Sequence, residues 1–145
     1  MDPAARRGYP IGEMNKKPDD RPKIVVIDDE SDFLTTMERS LSQLYRVTTL
    51  YGSEWTVKQV AAIDPDLILL DINMPEQGGF ELCRELRADP HFADTPIIFL
   101  TASSSGADYR RHLKAGGTRF LNKTIDRRHL LEAMAEALSG SASLR

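Results

Sequence analysis

Carboxylate side chains follow two of the most apolar segments of this sequence. Asp28 and Asp29 follow residues 24–27, and Asp71 follows residues 67–70. Short apolar runs of this kind are typical of buried strands, and the carboxyl ends of parallel strands meet at one edge of a sheet. The sequence therefore predicts three acidic groups close together, where their repulsion favours raised pKa values or a bound cation.

The type of donor atom indicates which cation this would be. Carboxylate oxygens with no histidine or cysteine in the same pattern favour a hard ion. Mg²⁺ suits them because it takes one or two carboxylates and keeps several waters, one of which can give way to a phosphoryl oxygen. With Asp28 and Asp29 on the ion, Asp71 stays ionised and can act as a nucleophile that forms an acyl phosphate.

Two further strand ends carry polar residues that suit a phosphoryl group. Thr101 follows the apolar run 97–100, and Lys123 follows the weaker strand candidate 119–121. The threonine hydroxyl can donate to a phosphoryl oxygen, and the lysine ammonium is a point charge on a long stem. Taken singly, each of these residues has an ordinary structural explanation, such as capping a helix or facing solvent. Their combination at four strand ends favours phosphoryl transfer, which needs positioning and charge neutralisation.

The elements that would position these residues alternate along the chain. Apolar runs predict five strands, at residues 24–27, 47–50, 67–70, 97–100 and 119–121. Helical spacing of apolar residues predicts five helices: 31–44, one around 57–61, one around 80–86 that begins after two glycines, 106–115, and one that begins near 126. Strands that are apolar on both faces and alternate with helices predict an α/β fold, a parallel sheet with helices on both faces.

Composition limits the classes of protein to which the chain can belong. With 145 residues and a net charge of −3, it has the size of one domain and no basic surface for direct nucleic-acid binding. No apolar run approaches the roughly 18 residues of a membrane span, and the first residues do not form a secretory signal. A single cysteine fits a reducing compartment, so we expect a cytoplasmic protein.

The ends of the chain differ in composition from the part between them. Residues 1–22 contain four of the eight prolines and show no apolar periodicity, so we predict a disordered N-terminal extension. Residues 23–140 are predicted to form the domain. Residues 141–145 continue a serine- and glycine-rich segment and are predicted to be a flexible end.

Four motifs resemble the receiver domain of two-component response regulators. They are VIDDE at 26–30, LLDINMPEQGGF at 69–80, FLTA at 99–102 and FLNK at 120–123. The resemblance covers about residues 22–140, and the intervals of 30 residues from Asp71 to Thr101 and 22 from Thr101 to Lys123 are also similar to those of the family. It implies the flavodoxin-like fold shared with the chemotaxis response regulator: a single five-stranded parallel sheet in the order 2-1-3-4-5.

The resemblance also implies roles for individual residues. Asp71 would accept a phosphoryl group from a phosphohistidine on a sensor histidine kinase or a histidine phosphotransfer protein. The Mg²⁺ ion would be held by Asp28, Asp29, Asp71 and the backbone carbonyl of Asn73.

Thr101 and Phe120 would form a switch pair in the family. In such a pair the threonine hydroxyl moves towards the phosphoryl group and the aromatic ring follows inward, which changes the surface offered to a downstream effector. As a signalling domain of this kind, the protein is not expected to turn over an external substrate.

The sequence departs from the family pattern at the residue after the lysine. Thr124 stands where the family usually has a proline, often after a cis peptide bond. A cis bond before a non-proline residue costs about 3–4 kcal/mol. We therefore predict a trans bond between Lys123 and Thr124, with the long lysine stem still able to reach Asp71.

Two other functions are compatible with parts of the pattern. One is a phosphorylation-independent interaction module with a receiver fold, against which the complete set of site residues argues. The other is an aspartyl-phosphate phosphatase of the haloacid dehalogenase type. Those enzymes use the second aspartate of Asp-x-Asp as a general acid, and this chain has Asn73 there.

Other residues receive structural interpretations. Cys83 falls on the buried stripe of the third helix and is expected to pack in the core. Tyr109 and Leu113 are the only large apolar residues of the fourth helix and are expected to form its thin apolar stripe. Three histidines have no metal-ligand spacing and are predicted to lie at the surface: His91, His112 and His129.

Overall fold

The computed structural model describes residues 19–74, 78–102 and 106–143. Most of the predicted N-terminal extension, residues 75–77 of the second motif, residues 103–105 and the last two residues lie outside this part of the chain. The strands are β1 (Lys23–Asp28), β2 (Arg46–Tyr51), β3 (Leu67–Asp71), β4 (Ile97–Thr101) and β5 (Arg119–Asn122). The helices are α1 (Ser31–Leu41), α2 (Val57–Ile63), α3 (Gly79–Ala88), α4 (Gly106–Ala115) and α5 (Arg127–Ser143).

The five strands form one parallel sheet in the order β2-β1-β3-β4-β5. The predicted fold class and strand order are confirmed. The direction in which successive strands are added to the sheet reverses between β1 and β3, which lie side by side although α1, β2 and α2 separate them in sequence. In open α/β sheets, a cleft forms at such a point outside the carboxyl ends of the strands.

Each face of the sheet has its own hydrophobic core. Side chains alternate along the strands, so Val25 and Ile27 face the core covered by α2, α3 and α4. Ile24 and Val26 face the opposite core, which α1 and α5 cover. β3 and β4 are buried at every position, which explains their continuous apolar sequences.

Several helix limits differ from the sequence-based ones. α1 ends at Leu41 rather than near residue 44, and Leu44 is 49% exposed, outside the apolar stripe. α2 begins with a capping box in which the Thr56 hydroxyl and the Gln59 side chain satisfy each other's backbone amides. α5 continues to Ser143, so the serine-rich segment after Leu138 is helical where its composition favours a flexible end.

The fourth helix buries a different face from the one predicted. Its buried residues are His112 and Ala115, whereas Tyr109 is 50% and Leu113 57% exposed. The prediction that His112 lies at the surface is therefore wrong. The packing role of Cys83 is confirmed, since its thiol is fully buried, has its pKa raised to about 11 by burial, and donates to the Ala115 carbonyl at 3.1 Å.

Two further observations concern the whole described part of the chain. No peptide bond within it is cis, so the Lys123–Thr124 bond is trans, as predicted. None of its helices combines the length and the apolar character needed to cross a bilayer.

Candidate functional site

Three carboxylates meet at the carboxyl edge of the sheet. Asp28 ends β1 and Asp71 ends β3, and each is only 1% exposed. Asp29, the residue after β1, is half-buried. One oxygen from each of the three lies within 4.8 Å of the others. The predicted convergence of Asp28, Asp29 and Asp71 therefore occurs in the fold.

Backbone amides fix one oxygen of each buried carboxylate. Asp28 Oδ1 accepts from the backbone N–H of Glu30 at 2.8 Å, and Asp71 Oδ1 accepts from that of Asn73 at 3.0 Å. These turns, in which a side chain accepts from the residue two positions later, hold the carboxylates in one orientation. In each case the Oδ2 atom lies on the side of Lys123 Nζ.

The start of α3 packs directly on the backbone of Asp71. A Cβ atom at Gly79 would lie 2.2 Å from the Asp71 carbonyl oxygen, a distance that no side chain tolerates. At Gly78 the nearest atom would be 3.8 Å away, an ordinary contact. Close packing therefore requires a glycine at position 79, and this contact fixes the position of Asp71 relative to α3.

Lys123 reaches the acidic cluster from the end of β5. Its Nζ lies 2.8 Å from Asp28 Oδ2, 2.8 Å from Glu30 Oε1 and 3.6 Å from Asp71 Oδ2. The ammonium also lies 4.6 Å from the centre of the Phe33 ring. The Lys123 side chain is thus long enough to reach the acidic cluster although the Lys123–Thr124 peptide bond is trans. Glu30 was not identified as a site residue from the sequence. Its position directly after Asp28 and Asp29 was the one feature that could have indicated it.

Burial is the main cause of the perturbed acidity at this site. It raises the pKa of Asp71 to about 6, with the Asn73 amide opposing and the Asp28 charge adding to the rise. Burial also raises the pKa of Asp28, against the hydrogen bond from Lys123. For Lys123 burial acts to lower the pKa, but the Asp28 and Glu30 hydrogen bonds outweigh it and the net pKa is raised.

The site has the type of donor atom that Mg²⁺ prefers. Its candidate ligand atoms are the carboxylate oxygens of Asp28, Asp29 and Asp71, and the Lys123 ammonium faces two of these carboxylates, those of Asp28 and Asp71. Oxygens on opposite sides of an octahedral Mg²⁺ are about 4.1 Å apart. The three oxygens, which lie within 4.8 Å of one another, would have to move closer together to share one ion, since at most one pair of the three can be opposite.

Thr101 and Phe120 lie on neighbouring strands beside this cluster. Thr101 ends β4, is fully buried, and accepts a hydrogen bond from Asn73 Nδ2 at 3.2 Å. Phe120 is half-buried on β5 and pairs in register with Phe99, two residues before Thr101. Because side chains alternate along a strand, both candidate switch residues face the α4 side of the sheet.

A family model described as the response regulator receiver domain matches residues 24–135. This chain belongs to that family. Receiver domains are signalling domains of two-component systems, in which they pair with histidine kinases. The family expected from the four motifs is confirmed.

Curated relatives match this chain over a small part of their own length. The protein RcaC of Microchaete diplosiphon is 38% identical over 106 residues, which are 71% of this chain and 16% of RcaC. The response regulator PleD of Caulobacter vibrioides is 34% identical over 105 residues, or 72% of this chain and 23% of PleD. The chain thus spans less than a quarter of the length of these curated relatives.

A solved receiver domain of similar fold contains a magnesium ion. The receiver domain of the sensor histidine kinase PA1611 from Pseudomonas aeruginosa was crystallised with a magnesium ion coordinated in its active-site cleft. It is 29% identical, with a TM-score of 0.75, and the match covers 82% of the present chain and 98% of the PA1611 receiver domain chain.

Proposed function

We propose that this receiver domain accepts a phosphoryl group onto Asp71 from a phosphohistidine and then changes its surface to signal to a partner. The convergence of Asp28, Asp29 and Asp71 within 4.8 Å, with Lys123 beside them, carries this proposal. The donor would be a sensor histidine kinase or a histidine phosphotransfer protein. The downstream partner is a further protein, and neither direct nucleic-acid binding nor membrane attachment is part of the proposal.

Asp28, Asp29, Asp71 and the backbone carbonyl of Asn73 would hold Mg²⁺. When bound, the ion supplies charge neutralisation for the phosphoryl oxygens and for the acidic cluster. A bound cation would lower the pKa of the Asp71 carboxyl, which is raised to about 6 mainly by burial, and would offset the cost of its buried charge. The fit of the donor set and the magnesium ion in the related PA1611 receiver domain support this assignment.

Transfer requires Asp71 Oδ2 to approach the phosphorus in line with the leaving histidine. A bond forms between the carboxylate oxygen and phosphorus while the nitrogen–phosphorus bond breaks and its electron pair stays with the imidazole. Lys123 then donates to a phosphoryl oxygen. Its ammonium is already 3.6 Å from Asp71 Oδ2. The ion pair that it forms with Glu30 can break at low cost because Glu30 is exposed to solvent.

The switch follows from the charge that the phosphoryl group brings. Thr101 would turn its hydroxyl from Asn73 towards a phosphoryl oxygen, exchanging one hydrogen bond for a charge-assisted one. Phe120, on the same side of the sheet, would then turn inward. A fully buried cysteine and the pairing of the family with histidine kinases support action in the cytoplasm.

Labelling with a small phosphodonor tests the proposal directly. Wild-type protein incubated with acetyl phosphate should gain one acid-stable, hydroxylamine-sensitive phosphoryl group, and only with Mg²⁺ present. Asp71→Asn should fold and remain unlabelled.

Three results would contradict the proposal. Labelling that survives in Asp71→Asn would show that another residue is the acceptor. Wild-type protein that is folded, binds Mg²⁺ and is never labelled would instead favour a phosphorylation-independent interaction module. Turnover of external phosphoesters would favour a phosphatase.

A further inference from the structure

His112 is a buried polar residue that the acidic site does not use. It lies on α4, its side chain is 3% exposed, and its Nδ1 has no hydrogen-bond partner among the residues that the structure describes. Burying an imidazole nitrogen without a partner costs free energy. Burial also lowers the pKa of His112, so the ring is neutral at physiological pH. Its packing must therefore compensate for its polarity.

The packing around His112 consists of three aromatic rings. Their centroids lie 5.6 Å away for Phe99, 5.5 Å for Tyr109 and 5.5 Å for Phe120. Phe99 meets the imidazole edge-on at 87°, whereas Phe120 is tilted from it by only 31°. Such contacts stabilise ring pairs beyond simple burial. We call these four residues the α4 aromatic cluster.

A glycine provides the room for the imidazole. A Cβ atom at Gly117 would lie 2.3 Å from His112 Nδ1 and 2.4 Å from Phe99 Cε2. Gly117 does not have the positive φ found at Gly116, so its backbone conformation does not call for glycine. The absence of a side chain at Gly117 instead lets the ring of His112 occupy this space.

The position of His112 bears on the proposed movement of Phe120. Phe99 is fully buried and Phe120 half-buried, and the imidazole contacts both rings from a buried position. His112 therefore fills space on the buried side of Phe120, the side towards which that ring would turn. A close-packed interior does not admit a second ring into filled space without cost.

We propose that His112 is a positioning residue that holds Phe120 in its half-buried position and opposes its inward turn. The assignment of Phe120 as a switch residue rests on the proposed function. Inward rotation then requires the imidazole to be displaced within the α4 aromatic cluster. Through α4, this displacement is transmitted to the exposed side chains of Tyr109 and Leu113.

The proposal predicts a population shift when the imidazole is removed. His112→Ala leaves a space that Phe120 can enter, so the inward position should be more populated before phosphorylation. The inward position of Phe120 is the one expected in the phosphorylated state. When it is already populated, phosphorylation has a smaller cost of rearranging Phe120 and His112 to overcome. His112→Phe keeps the ring volume and should leave Phe120 where it is. Leu113→Ala, on the exposed side of the same helix, is the matched control.

Fluorine NMR of protein with 4-fluorophenylalanine at position 120 measures the ring position without phosphorylation. A soluble paramagnetic agent relaxes the fluorine in proportion to its exposure. We expect the relaxation to fall by about twofold or more in His112→Ala and to stay unchanged in His112→Phe and Leu113→Ala. Labelling by acetyl phosphate with Mg²⁺ should be about threefold or more faster in His112→Ala only.

Unchanged fluorine relaxation in a folded His112→Ala protein would overturn the proposal. If that variant does not fold, His112→Val removes part of the ring and gives the same test. Failure of the proposed function is a separate result. In that case wild-type protein would not be labelled, while the fluorine measurement on unphosphorylated variants would still decide whether His112 positions Phe120.

Discussion

Burial of the Asp71 carboxylate should destabilise the fold when no metal ion is present. Its pKa is raised from 3.8 to about 6, mainly by burial, and the side chain is 1% exposed, so solvent screens it little. The folded state then binds the proton more tightly than the unfolded state does. Stability should therefore fall as pH rises from about 4 to 6, and the full cost should be present above that range.

The size of this cost follows from the shift. Each unit of pKa corresponds to about 1.4 kcal/mol, so the ionised carboxylate costs about 3 kcal/mol at pH 7.5 and about half of that at pH 5. Asn is close in shape to the protonated acid and carries no charge. We expect Asp71→Asn to have a free energy of unfolding higher than that of wild type by these amounts, without Mg²⁺.

Urea denaturation in the presence of a chelator, at pH 7.5 and pH 5, measures the difference. Glu38→Gln, which removes an exposed carboxylate from α1, should change stability by no more than about 0.5 kcal/mol at either pH. An Asp71→Asn protein no more stable than wild type at pH 7.5 would refute the reasoning. So would a difference that is the same at both pH values, because burial of a titrating group requires it to shrink on acidification.

Three further changes have definite expected outcomes. Without Mg²⁺, Asp29→Ala should raise the free energy of unfolding by about 1 kcal/mol, because it removes one of three carboxylates that repel one another. It should also abolish the stabilisation of the fold by added Mg²⁺. An Asp29→Ala protein that is less stable than wild type in the presence of a chelator would contradict this reasoning. Gly79→Ala should cost about 2–3 kcal/mol in urea denaturation because its Cβ meets the Asp71 carbonyl, whereas Gly78→Ala should cost far less, and equal losses would count against the close approach. Thr56→Ala should cost about 1 kcal/mol by removing the capping box of α2, and unchanged stability would show that the cap contributes nothing.

The order of the elements and the positions of the acidic residues were predictable from the sequence. Residues 24–27, 67–70 and 97–100 are apolar at every position because both faces of these strands are covered. A polar residue that directly follows such a run must lie at the carboxyl edge of the sheet. That local rule places Asp28 and Asp71 at the same edge, and they come together because β1 and β3 are neighbours in the sheet.

Contacts between distant segments could not be predicted in this way. Glu30 and Lys123 are 93 residues apart, and their 2.8 Å ion pair depends on the exact approach of the loop after β5 to the loop after β1. The close packing of Gly79 on Asp71 has the same character, since a glycine pair in a sequence does not reveal which glycine faces a backbone atom.

The fourth helix shows most clearly what the tertiary structure decided. Composition favoured Tyr109 and Leu113 as its buried stripe, because they are its large apolar residues. The fold buries His112 instead, since Gly117 leaves room for a ring beside Phe99 and Phe120. Periodicity establishes that a helix has an apolar side, but which side is buried depends on the shape of the surface that the rest of the chain presents to it.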